Sequence, residues 1–283
     1  MPTKACVIGD PVAHSRSPII HNYWLREAGI AGVYERQRVT AGELADFLGR
    51  IRAGEYAGCN VTVPHKEAAA SLVDRRTPTA ERLGAVNTVW LEQGELWGDN
   101  TDVAGFLGNL DELGPGWDKA GGKAVVLGAG GAARAIVSGL LERGFTRVLV
   151  ANRSFDRAER LAQACAGGSD AIVSAVPWEE RSARLEGARL LVNTTSLGMS
   201  GQPALTIDLS LLPPDALVTD IVYSPLETDL LKLAKARGLA TVDGLGMLLH
   251  QAVPGFRRWF GVTPQVTPQL RQLVINDMNG GSA

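Results

Sequence analysis

The chain has 283 residues, 45% of them hydrophobic and 20% charged, with a formal net charge of −2. These proportions are typical of a globular protein and exclude a disordered chain or a collagen, and a length of nearly twice the usual ~150 residues per domain predicts two domains. We expect no nucleic-acid or membrane partner, because the chain lacks both the clustered positive charge and the roughly 18-residue apolar run that these require.

The first hundred residues alternate between strand and helix patterns. Strands are predicted at 5–8, 33–39 and 58–63, and helices at 17–28, 43–52 and 66–73. Ser17 is the predicted N-cap of the first helix, with Pro18 at its first helical position. A hairpin over 85–91 and 95–97, turning at Gln93-Gly94, precedes a helix at 102–113.

A stretch rich in glycine and proline, residues 114–122, is a candidate domain boundary and hinge. Beyond it, strands are predicted at 123–127, 147–151, 171–176, 190–193, 217–221 and 240–242, with helical segments between most of them. This alternation predicts an α/β fold with a doubly wound parallel sheet. Helices at 245–259 and 268–278 follow the last strand, and periodicity does not assign them to either domain.

A nucleotide site is predicted where the strand at 123–127 meets the next helix. Gly128, Gly130 and Ala133 fit the G-x-G-x-x-G/A pattern, in which the glycines allow a tight turn and a close approach to a pyrophosphate. The pyrophosphate then lies at the helix N-terminus, whose free N–H groups favour negative charge. The alternative is a tight turn that binds nothing.

The end of the following strand indicates which dinucleotide is bound. An NAD site usually has Asp or Glu there, but this chain has Asn152, Arg153 and Ser154, with Arg157 one turn later. Guanidinium groups bind phosphate in a bidentate manner, so the pattern favours the 2′-phosphate of NADP. The alternative is that Arg153 is a solvated surface charge.

Polar residues also cluster after the strand at 58–63. Asn60 and Thr62 alternate onto one strand face, and Lys66 begins the next helix. Because the helix dipole disfavours a cation at that end, Lys66 is a candidate acid or base whose proton is easily released. A solvated surface lysine is the alternative.

Asp102 lies in the first turn of the helix at 102–113, with Thr101 as the candidate N-cap. The dipole alone favours a carboxylate there. The functional alternative pairs Asp102 with Lys66 and keeps the ammonium charged and in position. Sequence spacing does not show whether the two side chains touch.

Ser15 and Ser17 lie two positions apart in the loop before the first helix. Their hydroxyls and the free N–H groups there can hold a carboxylate, although an N-cap and an ordinary loop serine explain the local sequence as well. The four histidines lack metal-ligand spacing, so we predict no metal site. The three cysteines form no disulfide framework, and the N-terminus has no signal-peptide pattern, which together predict a cytoplasmic protein.

Taken together, these motifs resemble those of the shikimate dehydrogenases over about residues 9–261. The matching stretches in chain order are GDPVAHSRSP, GCNVTVPHK, GAVNT, GDNTDVAGF, GAGGAARA, NRSFDRA, NTTSLGM, DIVYSP and GLGMLLHQAVPGF. So many blocks in one order are far more specific than any single block.

The resemblance implies an N-terminal α/β substrate domain, residues 1–102 plus 246–283, and a Rossmann-like NADP-binding domain, residues 103–245. The C-terminal helices would return to the first domain. The implied activity is the reversible, NADP-dependent reduction of 3-dehydroshikimate to shikimate in aromatic amino acid biosynthesis, by a monomer or homodimer. Alternatives are a quinate/shikimate dehydrogenase of broader specificity, a reductase of another small carbonyl compound, and a non-catalytic nucleotide-sensing module.

The resemblance also implies roles for individual residues, with Lys66 and Asp102 as the catalytic pair. The residues implied to bind substrate are Ser15, Ser17, Asn60, Thr62, Asn87, Tyr223 and Gln251. The residues implied to bind the cofactor are Gly128, Ala129, Gly130, Gly131, Ala132, Asn152, Arg153, Ser154, Arg157, Asn193, Thr194 and Gly244. Ser154 departs from the threonine commoner in NADP-dependent members but keeps the hydroxyl. Serine rather than threonine at position 17 is typical of the shikimate-preferring type.

Overall fold

A computed structural model describes residues 2–119, 121–165 and 171–280. The chain divides into two compact units, residues 1–102 with 249–283 and residues 103–248. Each unit contains one six-stranded sheet. Among the described residues, no helix has both the length and the apolar character needed to cross a membrane.

The first unit has a mixed sheet with helices packed against it. Its strands are β1 (Thr3–Gly9), β2 (Gly32–Arg38), β3 (Gly58–Val61), β4 (Arg75–Arg76), β5 (Thr88–Glu92) and β6 (Glu95–Asp99). Its helices are α1 (Ser17–Glu27), α2 (Leu44–Arg52), α3 (Lys66–Leu72), α4 (Pro78–Leu83), α10 (Ala252–Phe260) and α11 (Pro268–Met278). The strand order is β2-β1-β3-β5-β6-β4, with β1, β2 and β3 parallel and β5 antiparallel to both β3 and β6.

The C-terminal helix α10 packs on this first sheet. The indole Nε1 of Trp259 in α10 donates a hydrogen bond to the Val89 carbonyl at 3.0 Å. Gly58 lies directly beneath that ring, and a Cβ at this position would approach Trp259 Nε1 to 2.1 Å. A glycine is therefore required on β3 for α10 to reach the sheet.

The second unit is a parallel sheet with helices on its faces. Its strands are β7 (Gly122–Leu127), β8 (Phe145–Asn152), β9 (Ile172–Pro177), β10 (Leu190–Asn193), β11 (Leu217–Asp220) and β12 (Ala240–Val242). Its helices are α6 (Gly131–Glu142), α7 (Phe155–Cys165), α8 (Asp229–Ala236) and most of α5 (Asp102–Leu113) and α9 (Leu245–His250).

The order of the second sheet identifies its fold class. The strands run β12-β11-β10-β7-β8-β9, and every recorded pairing is parallel. Counted from β7 as the first strand, this is the order 3-2-1-4-5-6 of dinucleotide-binding sheets. The predicted doubly wound sheet is confirmed.

Several local predictions differ from the structure. The expected helix over 245–259 is two helices, α9 and α10, which meet at Gln251. The short elements β4 and α4 were not predicted, because two and six residues are too few to show a hydrophobic period. The segment 114–122 lies within the second unit rather than at its boundary, and Trp117 stacks there on Phe145 with ring centroids 5.7 Å apart.

Candidate active site

The structure brings Lys66 and Asp102 together in the first unit. Lys66 is the first residue of α3 and Asp102 is the first residue of α5. The Lys66 ammonium donates a hydrogen bond to Asp102 Oδ2 at 2.6 Å, and the two side chains are 31% and 13% exposed. The ammonium is thus held in place while a third of its side chain stays open to a ligand.

Asn87 fixes the other oxygen of this carboxylate. Its Nδ2 donates to Asp102 Oδ1 at 2.9 Å, and its own Oδ1 accepts from the Thr101 backbone N–H at 2.9 Å and from the Thr88 hydroxyl at 3.0 Å. The Thr101 hydroxyl also donates to Asn87. The backbone N–H of Asp102, the first residue of α5, is accepted by Asn100 Oδ1 at 3.1 Å.

The serine pair lies at the start of α1. Ser15 donates a hydrogen bond from Oγ to Ser17 Oγ at 3.2 Å and accepts the Ser17 backbone N–H at 3.3 Å. Ser17 is therefore the first residue of the helix rather than its predicted N-cap, a position that Arg16 occupies. The two hydroxyls are adjacent, as a carboxylate site requires.

Asn60 and Thr62 lie at the carboxyl end of β3. Asn60 is buried and donates from Nδ2 to the Asn87 carbonyl at 3.2 Å and to Thr88 Oγ1 at 3.1 Å. Thr62 is half-buried, and its methyl group lies 2.5 Å from where a Cβ would stand at Gly9, so only glycine fits there. The sequence did not point to Thr88, which links Asn60 to Asn87.

Two of the implied substrate residues lie in different units. Gln251 is in the first unit, at the junction of α9 and α10, and Tyr223 is in the second unit, in the loop after β11. Both are half-buried.

The second unit contains a pocket of about 310 Å³ at the carboxyl ends of β7 and β8. It is lined by Gly128, Ala129, Gly130, Asn152, Arg153, Arg157, Trp178, Thr194, Thr195, Ser196 and Leu197. Seven of these residues were predicted to bind the cofactor. Gly131, Ala132, Ser154, Asn193 and Gly244, also predicted, do not line it.

The glycine turn has the geometry of a phosphate cradle. Gly128 has φ +108°, and a Cβ there would come within 2.4 Å of Thr194 Oγ1. No atom lies within 4 Å of a Cβ added at Gly130 or Gly131, so the space above the start of α6 is open. A pyrophosphate fits this opening, where the first N–H groups of a 12-residue helix are available.

Two cations flank the same pocket. Arg153 and Arg157 are exposed, and no described carboxylate pairs with either of them. Unpaired guanidiniums at this edge suit the 2′-phosphate of NADP. Trp178 forms another wall, with the Arg181 guanidinium 4.5 Å from its ring centroid. No sequence signal marked this residue, because a tryptophan after a strand is equally typical of a core position.

Asn193 supports the pocket wall from beneath. It is fully buried, its Nδ2 donates to Leu197 O at 3.2 Å and Asp220 Oδ1 at 2.9 Å, and its Oδ1 accepts from the Thr195 N–H and hydroxyl. All of its hydrogen-bonding groups are thus used within the protein. Asn193 therefore fixes the conformation of the loop at 194–197, which lines the pocket.

The buried carboxylate of Asp220 holds Asn193 in position through a hydrogen bond. Besides Asn193, it accepts from the Val222 N–H at 3.0 Å and the Thr228 hydroxyl at 2.8 Å. Burial raises the pKa of its carboxyl to about 6, and the three hydrogen bonds oppose that rise. Gly244 packs against the backbone of Asp220 and Ile221, since a Cβ at position 244 would be 2.3 Å from the Ile221 carbonyl oxygen.

No group of three or more His, Cys, Asp or Glu side chains in the described part of the chain is arranged to hold a metal ion. The first unit offers the acid–base chemistry of an ammonium–carboxylate pair. The second unit adds an anion-binding pocket of a shape and charge that fit NADP.

Three family models match the chain. The model of the shikimate dehydrogenase substrate binding domain matches residues 7–89, that of shikimate / quinate 5-dehydrogenase matches 116–199, and that of the shikimate 5′-dehydrogenase C-terminal domain matches 244–273. A shikimate dehydrogenase (NADP(+)) from Azorhizobium caulinodans is 56% identical over 275 residues, which are 97% of this chain and 96% of that protein.

Solved structures of similar proteins include complexes. Shikimate 5-dehydrogenase from Thermus thermophilus, in complex with NADP(H) and shikimate, is 39% identical with a TM-score of 0.84, over 97% of this chain and 99% of that one. Quinate dehydrogenase from Corynebacterium glutamicum, in complex with NAD, is 34% identical with a TM-score of 0.88, over 97% and 99% of the two chains.

Proposed function

The chain belongs to the shikimate dehydrogenase family, and we propose that it catalyses the reversible, NADP-dependent reduction of 3-dehydroshikimate to shikimate. The observation that carries the proposal is the contact between Lys66 and Asp102, 2.6 Å apart and open to a ligand. Carbonyl reduction needs a proton donor at the oxygen, and a held ammonium is such a donor.

The protein's part in the reaction is to place the substrate and move one proton. When bound, NADPH supplies the hydride that reaches the carbonyl carbon. As negative charge develops on the oxygen, the Lys66 ammonium stabilises it and delivers the proton. Asp102 keeps the ammonium in position, and Asn87 keeps Asp102 in position. In the oxidation of shikimate, Lys66 takes the proton back.

The remaining polar groups of the first unit bind the substrate. We assign the carboxylate to the hydroxyls of Ser15 and Ser17, which lie 3.2 Å apart. Tyr223, in the second unit, is proposed as a further substrate-binding residue. The ring hydroxyls are assigned to Asn60, Thr62, Asn87, Asp102 and Gln251. One amide N–H of Asn87 has no acceptor among the described residues, which suits this role.

NADP is the proposed cofactor rather than NAD. Gly128 and Gly130 leave room for the pyrophosphate, and the pocket ends at Arg153 and Arg157, which have no acidic partner among the described residues. NAD would leave both guanidiniums without an anion.

Two alternatives differ from this proposal in specificity or in class. A quinate/shikimate dehydrogenase is supported by the similarity to the quinate dehydrogenase from Corynebacterium glutamicum, whereas Ser17 favours shikimate, and Arg153 and Arg157 in the pocket favour NADP. A nucleotide-sensing module has no use for a proton donor, so the Lys66–Asp102 pair argues against it.

None of the three cysteines forms a disulfide, which supports a cytoplasmic enzyme. For the oligomeric state, we keep both monomer and homodimer open.

Steady-state assays with shikimate and with quinate, each with NADP and with NAD, test the proposal. We expect kcat/KM to be highest for shikimate with NADP, by at least about tenfold over each other combination. A higher value with quinate or with NAD would replace the proposed specificity by the alternative. No turnover in any combination, with NADPH still bound, would favour the sensing module.

A further inference from the structure

One buried side chain outside the residues discussed so far holds a proposed substrate-binding residue in place. Tyr34, in β2, is 1% exposed. Its hydroxyl donates a hydrogen bond to Asn60 Oδ1 at 2.6 Å. The amide oxygen of Asn60, which is proposed to bind a ring hydroxyl of the substrate, is thus held by this buried hydroxyl.

The donors and acceptors around Asn60 determine how its amide is oriented. The Asn87 carbonyl can only accept, so the amide nitrogen of Asn60 faces it, at 3.2 Å. The second N–H of that nitrogen goes to Thr88 Oγ1 at 3.1 Å. The Asn60 carbonyl oxygen then points to Tyr34 and keeps a second lone pair. Asn60 can therefore offer a substrate an acceptor but no donor.

The ring of Tyr34 packs against two aromatic groups that also contact each other. His21 stacks on it with centroids 4.0 Å apart and an interplanar angle of 8°, and Trp259 packs at 5.9 Å. His21 is fully buried, and burial lowers its pKa to about 3, so the imidazole is neutral at ordinary pH. The Tyr34 hydroxyl is therefore positioned by close packing of its ring against side chains that carry no charge.

We propose that Tyr34 is a positioning residue that sets the affinity for the substrate by orienting Asn60 through their 2.6 Å hydrogen bond. It does not touch the substrate itself, because its side chain is buried. Through Asn60 it makes the site select a ligand that presents a hydroxyl hydrogen at that point. This inference rests on the proposed function, since it concerns the site that binds shikimate.

The test compares Tyr34→Phe with a matched control, Tyr56→Phe. Tyr56 is also buried in the first unit, and its hydroxyl donates to Glu35 Oε1 at 2.8 Å rather than to Asn60. Both substitutions delete one hydroxyl and keep the ring. We expect Tyr34→Phe to raise the KM for shikimate about tenfold, while kcat and the KM for NADP change by less than about twofold. Tyr56→Phe is expected to leave all three within about twofold of the wild type.

Thermal melting of the two variants separates positioning from stability. A Tyr34→Phe variant whose shikimate KM is unchanged overturns the proposal, and so does one in which kcat falls while KM stays constant. Failure of Tyr34→Phe to fold also overturns it, because the hydroxyl would then be required for structure. Absence of shikimate turnover in the wild type would instead refute the proposed function.

Discussion

The buried carboxylate of Asp220 gives a prediction about stability and pH. Burial raises its pKa from the usual 3.8 to about 6, and the donors Thr228, Val222 and Asn193 offset only part of that rise. Its side chain is completely buried beneath the pocket wall of the second unit. The charged form is therefore less well solvated in the folded chain than in the unfolded chain.

The sign of the effect follows from proton linkage. Because the pKa is higher in the folded chain, folding is favoured as the carboxyl takes up its proton. This contribution is fully present below pH 3.8 and is lost as the pH rises through 6. The whole shift corresponds to about 3 kcal/mol, at ~1.36 kcal/mol per unit. About 1.3 kcal/mol of it appears between pH 7 and pH 5.

Asp220→Asn removes this titration while keeping the size of the side chain. The free energy of unfolding of the wild type minus that of the variant should increase by about 1.3 kcal/mol from pH 7 to pH 5, measured by urea titration. Asp208→Asn is the control, because hydrogen bonds from Ser210 lower the pKa of Asp208. The stabilisation that comes from this lowered pKa is lost only below about pH 3.8. The difference in unfolding free energy between the wild type and Asp208→Asn should therefore stay constant from pH 7 to pH 5. A flat or decreasing difference for Asp220→Asn would refute the reasoning.

Two further predictions concern the nucleotide pocket. Arg153→Ala should weaken NADPH binding by about 1.5–3 kcal/mol and leave NADH binding unaffected, as measured by titration calorimetry. The control Arg160→Ala, in α7 but not in the pocket lining, should change neither affinity. Equal losses for both cofactors in Arg153→Ala would place Arg153 away from the 2′-phosphate. Gly128→Ala should lower stability by about 2–4 kcal/mol, because φ is +108° and the new Cβ meets Thr194 at 2.4 Å. Gly144→Ala, with φ +80° but open space around it, should cost only about 1–2 kcal/mol in thermal melting, and equal losses at the two glycines would contradict the steric argument.

The order of strands and helices could be predicted well from the sequence because hydrophobic periods and glycine turns are local. The parallel sheet of the second unit and the turn at Gly128 both follow from such signals. The exceptions were short elements such as α4, and the break at Gln251, which interrupts an otherwise continuous helical pattern. Neither a six-residue helix nor a one-residue break changes the period enough to be seen.

The site was predictable only where a motif marked it. Lys66 and Asp102 stood out through their positions at helix N-termini, but their contact depends on the folding of the first unit, in which both lie, and is not encoded in spacing. Tyr34 and Asp220 were missed because each looks like an ordinary member of a strand. Their importance comes from hydrogen bonds to residues 26 and 27 positions away, respectively, which only the folded chain shows.

The role of Lys66 as proton donor is decided by one kinetic comparison. The value of kcat for shikimate oxidation with NADP is measured for Lys66→Met and for Lys232→Met, a substitution at an exposed lysine of the second unit. We expect kcat to fall about 10²- to 10⁴-fold in Lys66→Met and to change less than about twofold in Lys232→Met. Turnover of Lys66→Met close to that of the wild type would contradict the mechanism.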